Sequence, residues 1–391
     1  MDKPSNTVII SLGAYKYSTR ARKAAVVLNE RGARVTFLGL SRAGRTGQWD
    51  DPGVTVVDGI TIKQVEMQAP RTAPRRVNQF LNLVVSYTPA FCRLALDLCR
   101  SRYDAALVVS TPLIPLGILF KILGGRVLAV DVTERPGAVS SKGSVFEIFR
   151  AFEKPLLRIV SRKADIVTAV VPPDVAYLKS VGFDPVKLVR NAPLDSWRAP
   201  DRALPLGVVK FCLVGSLFEG RGLEKLITAV CQVPSEFKFE IRIYGGGRAD
   251  YVSRLKSLSE DKSAAGRLIW MGPLGSAFVS DAYLDSHVGL VLYDSDDAGN
   301  DGLSNKLMEC VSSGRPVLAG DLPQNRDFVS SNDVGWLCTM TVEGIAQGIR
   351  DVVSARAEFE DAAQRCRAIG DSWLTWDREF SAVADRLLSA T

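Results

Sequence analysis

Short apolar runs alternate with amphipathic stretches along most of the 391 residues of this chain. Runs of this length that are apolar throughout are typical of strands buried on both faces of a parallel sheet, and the stretches between them have helical spacing. The pattern extends from Val8 to Val189 and starts again at Val208. It therefore predicts an α/β protein with two doubly wound, Rossmann-like sheets in tandem.

The stretch between the two repeats, Asn191–Gly207, contains three prolines and few periodic apolar residues, which indicates a linker. We therefore predict a first domain over residues 1–193 and a second over residues 205–371. The last helix, predicted over Ser372–Leu388, begins with Trp373 and Trp376 and needs an apolar surface. We expect residues 372–391 to cross back onto the first domain; packing on the second domain is the alternative.

The seven cysteines lack the paired spacing of metal ligands, so we interpret them as free thiols of a cytoplasmic protein. No signal-peptide pattern precedes the first strand. The most apolar stretch, Ala105–Val130, is interrupted by Pro112, Pro115 and Lys121. These interruptions favour a strand, a turn, a short buried helix and a second strand, so we predict no segment that spans a membrane.

Charge is distributed unevenly between the two halves of the chain. Residues 1–200 contain 29 Lys and Arg against 16 Asp and Glu, whereas residues 201–391 contain 20 against 27. A basic first half predicts an anionic partner there. Because aromatic and basic residues are not interleaved, nucleic acid is disfavoured. The basic cluster of Arg71, Arg75 and Arg76 precedes the amphipathic stretch Val77–Cys99 and suggests docking on an anionic membrane, such as the inner face of the cell membrane, or on a pyrophosphate-bearing acceptor. A helix packed within the first domain, with a solvated basic lead-in, is the alternative.

The most informative motif runs from Tyr293 to Ala319, where a strand leads into a polar loop and then a helix that begins near Ser304. Ligands of open α/β sheets bind where strands end and helices begin, because the free N–H groups of a helix N-terminus attract anions. Lys306 in the first turn adds a positive charge for a phosphate. Glu309, one turn later, is suited to accept two hydrogen bonds from vicinal ribose hydroxyls.

Further loops follow other strands of the second half. The segment Phe211–Ile227 contains Gly215, Gly220 and Gly222, and Arg221 lies at the start of the next helix, where a guanidinium can bind a diphosphate bidentately. A glycine run begins at Gly245, although tight turns need glycine in any case. The loop Met271–Gly275 is suited to offer backbone groups to a nucleobase. Asp294 and Asp296 have the spacing of a metal site, but we predict no metal there.

Together these segments resemble the C-terminal half of the large retaining glycosyltransferase family with the GT-B fold, which includes sucrose synthase and bacterial mannosyl- and N-acetylglucosaminyltransferases. The segment Leu303–Val317 is similar to the most recognisable stretch of that family. Asp301 and Glu309 have the spacing of its Glu-x7-Glu motif, with Asp at the first place. Ser216 lies where the family usually has an arginine, which suggests that Lys306 takes part of that role.

The resemblance implies a nucleoside-diphosphate sugar, most commonly UDP-linked, as co-substrate, with no cofactor and no metal. It implies catalytic roles for Arg221, Lys306, Asp301 and Glu134. The donor-binding residues that it implies are Gly13, Gly215, Ser216, Gly245, Gly272, Leu274, Gly302, Leu303, Ser304, Asn305 and Glu309. The hydroxyl acceptor, which a lipid could carry, is expected at Asp131 and Arg135.

The resemblance is weaker in the first half, over Ser18–Ala25, Asp131–Arg135 and Val189–Asp195. Many family members have a histidine there, but the single histidine of this chain, His287, lies in the second half and is interpreted as structural. In the mechanism that the family implies, positive groups and a helix N-terminus neutralise the leaving diphosphate, and the acceptor attacks with retention of configuration. Two alternatives stay open: a sugar-nucleotide 2-epimerase of the same fold, and a non-catalytic protein that binds sugar nucleotides.

Overall fold

The structure is a computed structural model and describes residues 4–42, 52–67, 88–133, 157–261, 264, 266–293 and 303–390. The chain divides into two compact units. The first comprises Met1–Arg190 and Glu379–Thr391, and the second comprises Asn191–Arg378. Each unit is built around one predominantly parallel sheet covered by helices, so the predicted architecture of two Rossmann-like domains is confirmed.

In its described part, the first unit has a sheet in the order β3-β4-β2-β1-β5-β6-β7-β8, parallel except between β3 and β4. The strands are β1 (Asn6–Ser11), β2 (Arg34–Arg42), β3 (Gly53–Val57), β4 (Ile60–Met67), β5 (Ala105–Val109), β6 (Val127–Val132), β7 (Ile166–Ala169) and β8 (Val186–Leu188). Its helices include α1 (Thr19–Glu30), α2 (Thr88–Arg100), α3 (Ile114–Ile122) and α4 (Pro172–Ser180), and residues 157–161 are helical. The predicted stretch Val77–Cys99 is therefore described only in part, and Arg71, Arg75 and Arg76 lie outside the described residues.

The periodic apolar side chains explain how these helices pack. Leu94 of α2, Leu116 of α3 and Leu178 of α4 are buried in one core with Val8 of β1 and Leu128 of β6. Since side chains alternate between the two faces of a strand, these helices cover a single face of the sheet. Helix α1 contacts β1 and β2, and its buried apolar residues are three alanines, Val27 and Leu28.

The apolar pattern of the sequence does not predict β4, which pairs with β3 through a tight hairpin. Asp58 and Gly59 form the turn with φ of +50° and +81°. These left-handed values suit an Asp-Gly pair, because the twist of a two-residue turn of this kind matches the twist of the strands. β4 then pairs in parallel with β2, so the hairpin adds two strands at one edge of the sheet.

The second unit has a sheet in the order β11-β10-β9-β12-β13-β14, with every neighbouring pair of the described strands parallel. The strands are β9 (Val209–Val214), β10 (Phe239–Tyr244), β11 (Leu268–Gly272), β12 (Val288–Val291), β13 (Val317–Gly320) and β14 (Gly335–Cys338). The helices are α5 (Leu223–Gln232), α6 (Ala249–Asp261), α7 (Val279–Leu284), α8 (Asn305–Ser312), α9 (Pro323–Asn332), α10 (Val342–Ser354), α11 (Phe359–Ser372) and α12 (Trp376–Glu379). Two apolar cores, one around Phe211 and Ile227 and one around Tyr283 and Val311, enclose this sheet.

The end of the chain consists of shorter helices than the single one predicted over Ser372–Leu388. α11 ends at Ser372, and the amide of Trp376 donates to the carbonyl of Pro193 at 2.7 Å. Trp373 packs edge-to-face on Phe328, so both tryptophans belong to the second unit. The final helix, α13 (Ser381–Leu388), lies in the first unit, where Arg386 is bonded to Asp165 at 3.0 Å and Asp385 to Arg31 at 2.9 Å. The chain thus returns to the first unit at Glu379, just before α13 begins.

Candidate functional site

Hydrogen bonds continue beyond the C-terminal ends of β9, β10 and β11, between these strand ends and the loops that follow them. The amide of Gly215 donates to the carbonyl of Tyr244 at 2.9 Å, and the amide of Gly245 donates to that of Gly272 at 2.8 Å. A Cβ atom at Gly245 would collide with the carbonyl oxygen of Gly215. Glycine is therefore required where these loops approach each other, and the loops are held in fixed positions at the edge of the sheet where α/β domains bind ligands.

Arg221 lies in the loop between β9 and α5 and is half-buried. Its guanidinium carbon is 4.3 Å from the centre of the Phe218 ring and 4.5 Å from the centre of the Tyr293 ring. Flat guanidinium groups bind well to aromatic faces, so both rings restrict the orientation of Arg221. The bidentate group predicted for a diphosphate is thus held in place before any ligand binds.

Lys306 is the second residue of α8 and is 9% exposed. Its Nζ lies 5.2 Å from the centre of the same Tyr293 ring. Burial and, to a smaller extent, the positive charge of Arg221 lower the pKa of Lys306 from 10.5 to about 8, against the opposing effect of Glu309. The positive charges of Arg221 and Lys306 are therefore close enough to repel each other. A highly charged anion bound between them would stabilise both charges.

Lys306 also lies against the loop in which the resemblance would place an arginine. A Cβ atom at Gly215 would be 2.5 Å from Cε of Lys306 and 3.2 Å from its Nζ. Ser216, the next residue, is exposed and uncharged. The positive charge that the family usually supplies from position 216 therefore reaches this loop from the first turn of α8.

The start of α8 presents its backbone at the same edge. Ser304 precedes the helix, and its hydroxyl donates to the hydroxyl of Tyr293 at 3.0 Å. Asn305 is exposed, Glu309 is half-buried one turn further, and Leu303 packs partly into the apolar core. Since the first N–H groups of a helix have no partner within it, this terminus can receive phosphate oxygens.

The end of β11 and the loop that follows it are open and apolar. Gly272 has a φ of +82°, and a Cβ atom there would meet nothing within 4 Å. Leu274 packs partly against the core, whereas Met271 is exposed. This combination of backbone groups and apolar side chains suits a flat ring such as a nucleobase.

In the first unit, Asp131 at the end of β6 forms a buried ion pair. Arg20 of α1 donates to its two carboxylate oxygens at 2.6 and 2.9 Å, and the hydroxyl of Thr168 donates to one of them. Asp131 is 4% exposed, so its carboxylate is occupied by protein groups. The carboxylate of Asp131 therefore joins α1, β6 and β7, and its predicted contact with an acceptor stays a prediction.

Gly13 follows β1 at the same edge of the first sheet, and a Cβ atom there would lie 2.7 Å from Oγ of Ser18. Outside the described residues lie Glu134, Arg135, Asp294, Asp296, Asp301 and Gly302.

Within the described residues, no group of three or more His, Cys, Asp and Glu could hold a metal ion. His287 is buried in the second unit and its Nδ1 accepts a hydrogen bond from the amide of Lys210 at 3.0 Å, consistent with a structural residue.

Three residues that contribute to these sites were not singled out from the sequence. Tyr293 and Phe218 are aromatic residues at strand and loop ends, and no local pattern indicates that both contact Arg221. Arg20 lies 111 residues before its partner Asp131. Arg22 and Lys23 also lie near the start of α1, so no local signal distinguishes Arg20 from them.

Comparison with known proteins gives a match in the second unit. Residues 209–355 match the family described as "Glycosyl transferases group 1". No curated protein matches the chain. None of the described helices has the length and apolar character needed to cross a membrane.

Solved structures resemble the chain over nearly its full length. Sucrose-phosphate synthase from Thermosynechococcus elongatus has a TM-score of 0.70 at 15% identity, covering 99% of this chain and 100% of that one. HepE of Anabaena in complex with UDP has a TM-score of 0.67 at 13% identity, with 98% and 100% covered. WaaG, a glycosyltransferase involved in lipopolysaccharide biosynthesis, has a TM-score of 0.65 at 10% identity, with 97% and 99% covered. The resemblance to the GT-B glycosyltransferases is therefore confirmed: the chain has their fold, and residues 209–355 of its second unit match the family of group 1 glycosyl transferases.

Proposed function

We propose that this protein transfers a sugar from a nucleoside-diphosphate sugar to a hydroxyl acceptor. The observation that carries the proposal is the pair of cations Arg221 and Lys306, which share the Tyr293 ring at the edge of the second sheet. A diphosphate placed there would be neutralised by both cations and by the N-terminus of α8. Glu309 is suited to hold the ribose, and the Gly272–Leu274 loop to hold the base.

Uridine is the base that we propose. HepE of Anabaena, which shares the fold, has been crystallised with UDP and with UDP-glucose. The sugar itself would face Asp301 and Gly302, the residues that the family resemblance assigns to it. The sites on the first unit, Gly13, Asp131, Glu134 and Arg135, are proposed to contact the donor phosphates and the acceptor as the resemblance implies.

The proposed reaction balances without a metal or a protein base. The bond between the anomeric carbon and the diphosphate oxygen breaks, and the acceptor oxygen bonds to the same carbon from the same face, which retains configuration. The acceptor proton passes to the leaving phosphate oxygen. Arg221 and Lys306 would stabilise the negative charge that develops on that oxygen, which is the contribution that fixed charges make most effectively in a water-poor site.

The basic first half supports a membrane-linked acceptor as the finer proposal. Arg93 and Arg100 are exposed on α2 together with Leu96, which is 48% exposed. These residues lie on the side of α2 opposite the buried Leu94 and Leu98, so basic and apolar groups face outwards together. Sedimentation with vesicles that contain an anionic lipid tests this: binding at low salt supports the proposal, and equal recovery with neutral and anionic vesicles contradicts it.

The test of the main proposal is release of UDP from a panel of UDP-sugars, with and without sugar and lipid-linked acceptors. Slow release without acceptor and faster release with one are expected for a transferase. Arg221→Ala and Lys306→Ala should lower turnover at least about 100-fold, whereas Arg350→Ala on the exposed side of α10 should not change it. Conversion of a UDP-sugar without any acceptor would favour an epimerase, and UDP binding without any turnover would favour a non-catalytic binding protein.

A further inference from the structure

Tyr293 occupies a central place among the charged groups of the second unit. It follows β12 by two residues and is 7% exposed. Arg221 and Lys306 come from different segments, yet both lie within cation–π distance of its ring, at 4.5 and 5.2 Å from the centre. The hydroxyl of Ser304 donates to the Tyr293 hydroxyl at 3.0 Å and fixes the other end of the side chain.

The surroundings of Lys306 explain why such a ring is needed. Burial and the positive charge of Arg221 both lower the pKa of Lys306, whereas Glu309 on its own helix raises it. Tyr283 of α7 contributes a hydroxyl, which donates to the backbone carbonyl of Lys306 at 3.2 Å. Within the described residues, no carboxylate forms an ion pair with Lys306, so the negative face of Tyr293 is a principal attraction for its ammonium group.

We propose that Tyr293 is a positioning residue for the donor diphosphate, because its ring holds Arg221 and Lys306 together while the site is empty. This inference rests on the proposed function. An aromatic face attracts a cation without neutralising its charge, so both cations remain available to an incoming diphosphate. A carboxylate in the same place would form ion pairs that the diphosphate would have to displace.

The first test compares Tyr293→Leu with Tyr293→Phe by calorimetric titration of UDP. Tyr293→Leu removes the ring and should raise the Kd about tenfold. Tyr293→Phe keeps the ring and loses the hydroxyl to which Ser304 donates, so its Kd should stay within about twofold of the unchanged protein. Phe239→Leu is the matched control, because Phe239 also binds a cation, Arg267 at 4.7 Å, but does so at the opposite end of the sheet.

A pH series separates positioning from simple loss of packing. UDP affinity of the unchanged protein should fall as the pH rises through about 8, since Lys306 then loses its proton. Without the ring, the charged form of Lys306 is less favoured, so the fall should begin at a lower pH in Tyr293→Leu. Phe239→Leu should leave the midpoint of this fall unchanged.

Incorporation of fluorinated phenylalanines at position 293 gives a second measurement that preserves shape. Each added fluorine weakens the negative face of the ring, so affinity for UDP should decrease progressively from phenylalanine to the most fluorinated residue. An absence of any such trend, with an unchanged midpoint in Tyr293→Leu, would overturn the role of Tyr293 and leave the proposed function intact. Failure of the unchanged protein to bind UDP or any other nucleoside diphosphate at any pH would instead remove the proposed function.

Discussion

The end of the Lys306 side chain lies in the space that a Cβ atom at Gly215 would occupy. A Cβ atom there would be 2.5 Å from Cε of Lys306, and Gly215 has a φ of +135°, which side chains rarely tolerate. The glycine of one loop and the lysine of another helix therefore depend on each other. This dependence connects the two segments that the sequence identifies separately as the best candidates for donor binding.

Gly215→Ala should weaken UDP binding at least about tenfold, because Lys306 would have to leave its position beside the loop. Gly207→Ala is the control: Gly207 also has a positive φ, +88°, but a Cβ atom there meets nothing within 4 Å, and the residue precedes β9 at the other end of the strand. Both variants should lose about 1 kcal/mol of stability from the backbone conformation. Calorimetry and denaturant unfolding would measure the two effects separately. Equal UDP affinity in the two variants contradicts the account.

Lys306→Met should stabilise the empty protein and weaken UDP binding at least about tenfold. The pKa of Lys306 is lowered from 10.5 to about 8, so its charged form opposes folding, and this cost is fully present below pH 8. Methionine fills a similar volume without a charge. At pH 7 the gain in the free energy of unfolding should be on the order of 2 kcal/mol.

The pH dependence of that gain provides the check. Between about pH 8 and the usual lysine value, the folded protein has released the proton that the unfolded chain still binds, so the unchanged protein gains stability as the pH rises. The difference between the two proteins should therefore shrink above pH 8. A less stable Lys306→Met variant at pH 7 would show that Lys306 is a structural residue.

Acid should destabilise the second unit through His287. Burial is the main reason that its pKa is lowered from 6.5 to about 4, and its Nδ1 accepts the Lys210 amide. Below pH 6.5 the unfolded chain binds a proton that the folded protein does not, so stability decreases as the pH falls towards 4, by up to about 1.4 kcal/mol per pH unit. His287→Asn keeps an acceptor for the Lys210 amide and removes the titration. Its stability should depend less on pH in this range, whereas parallel curves for the two proteins would exclude His287 as the cause.

Arg315 should be the costliest arginine to replace in the described part of the second unit. It is fully buried and donates to the backbone carbonyls of Arg202, Ala203, Leu284, Ser286 and Gly314. Arg315→Met would leave these carbonyls unsatisfied in the interior, at a cost of about 3 kcal/mol or more. Arg350→Met on the exposed side of α10 should cost less than about 0.5 kcal/mol. Urea midpoints for both variants compare the two, and a small effect at Arg315 would mean that water replaces its bonds.

The sequence predicts most of the strands, because buried parallel strands are apolar throughout. It also predicts the two segments that contain Arg221 and Lys306, because the C-terminal ends of parallel strands share one edge of a sheet. It does not predict β4, although the Asp58-Gly59 pair between two apolar runs is a hairpin signal. The ring of Tyr293 between two cations, and the pairing of Arg20 with Asp131, depend on contacts between distant segments. No local spacing encodes such contacts, so only the folded chain reveals them.

The most direct test of a nucleotide-sugar site is calorimetric titration of UDP into the unchanged protein, Arg221→Ala, Lys306→Ala and the double variant, with Arg350→Ala as control. The account predicts micromolar binding to the unchanged protein and to Arg350→Ala. It also predicts at least about tenfold weaker binding for each single variant and no measurable binding for the double variant. Equal UDP affinity in the double variant and the unchanged protein, or no binding of UDP or any other nucleoside diphosphate to the unchanged protein, would contradict it.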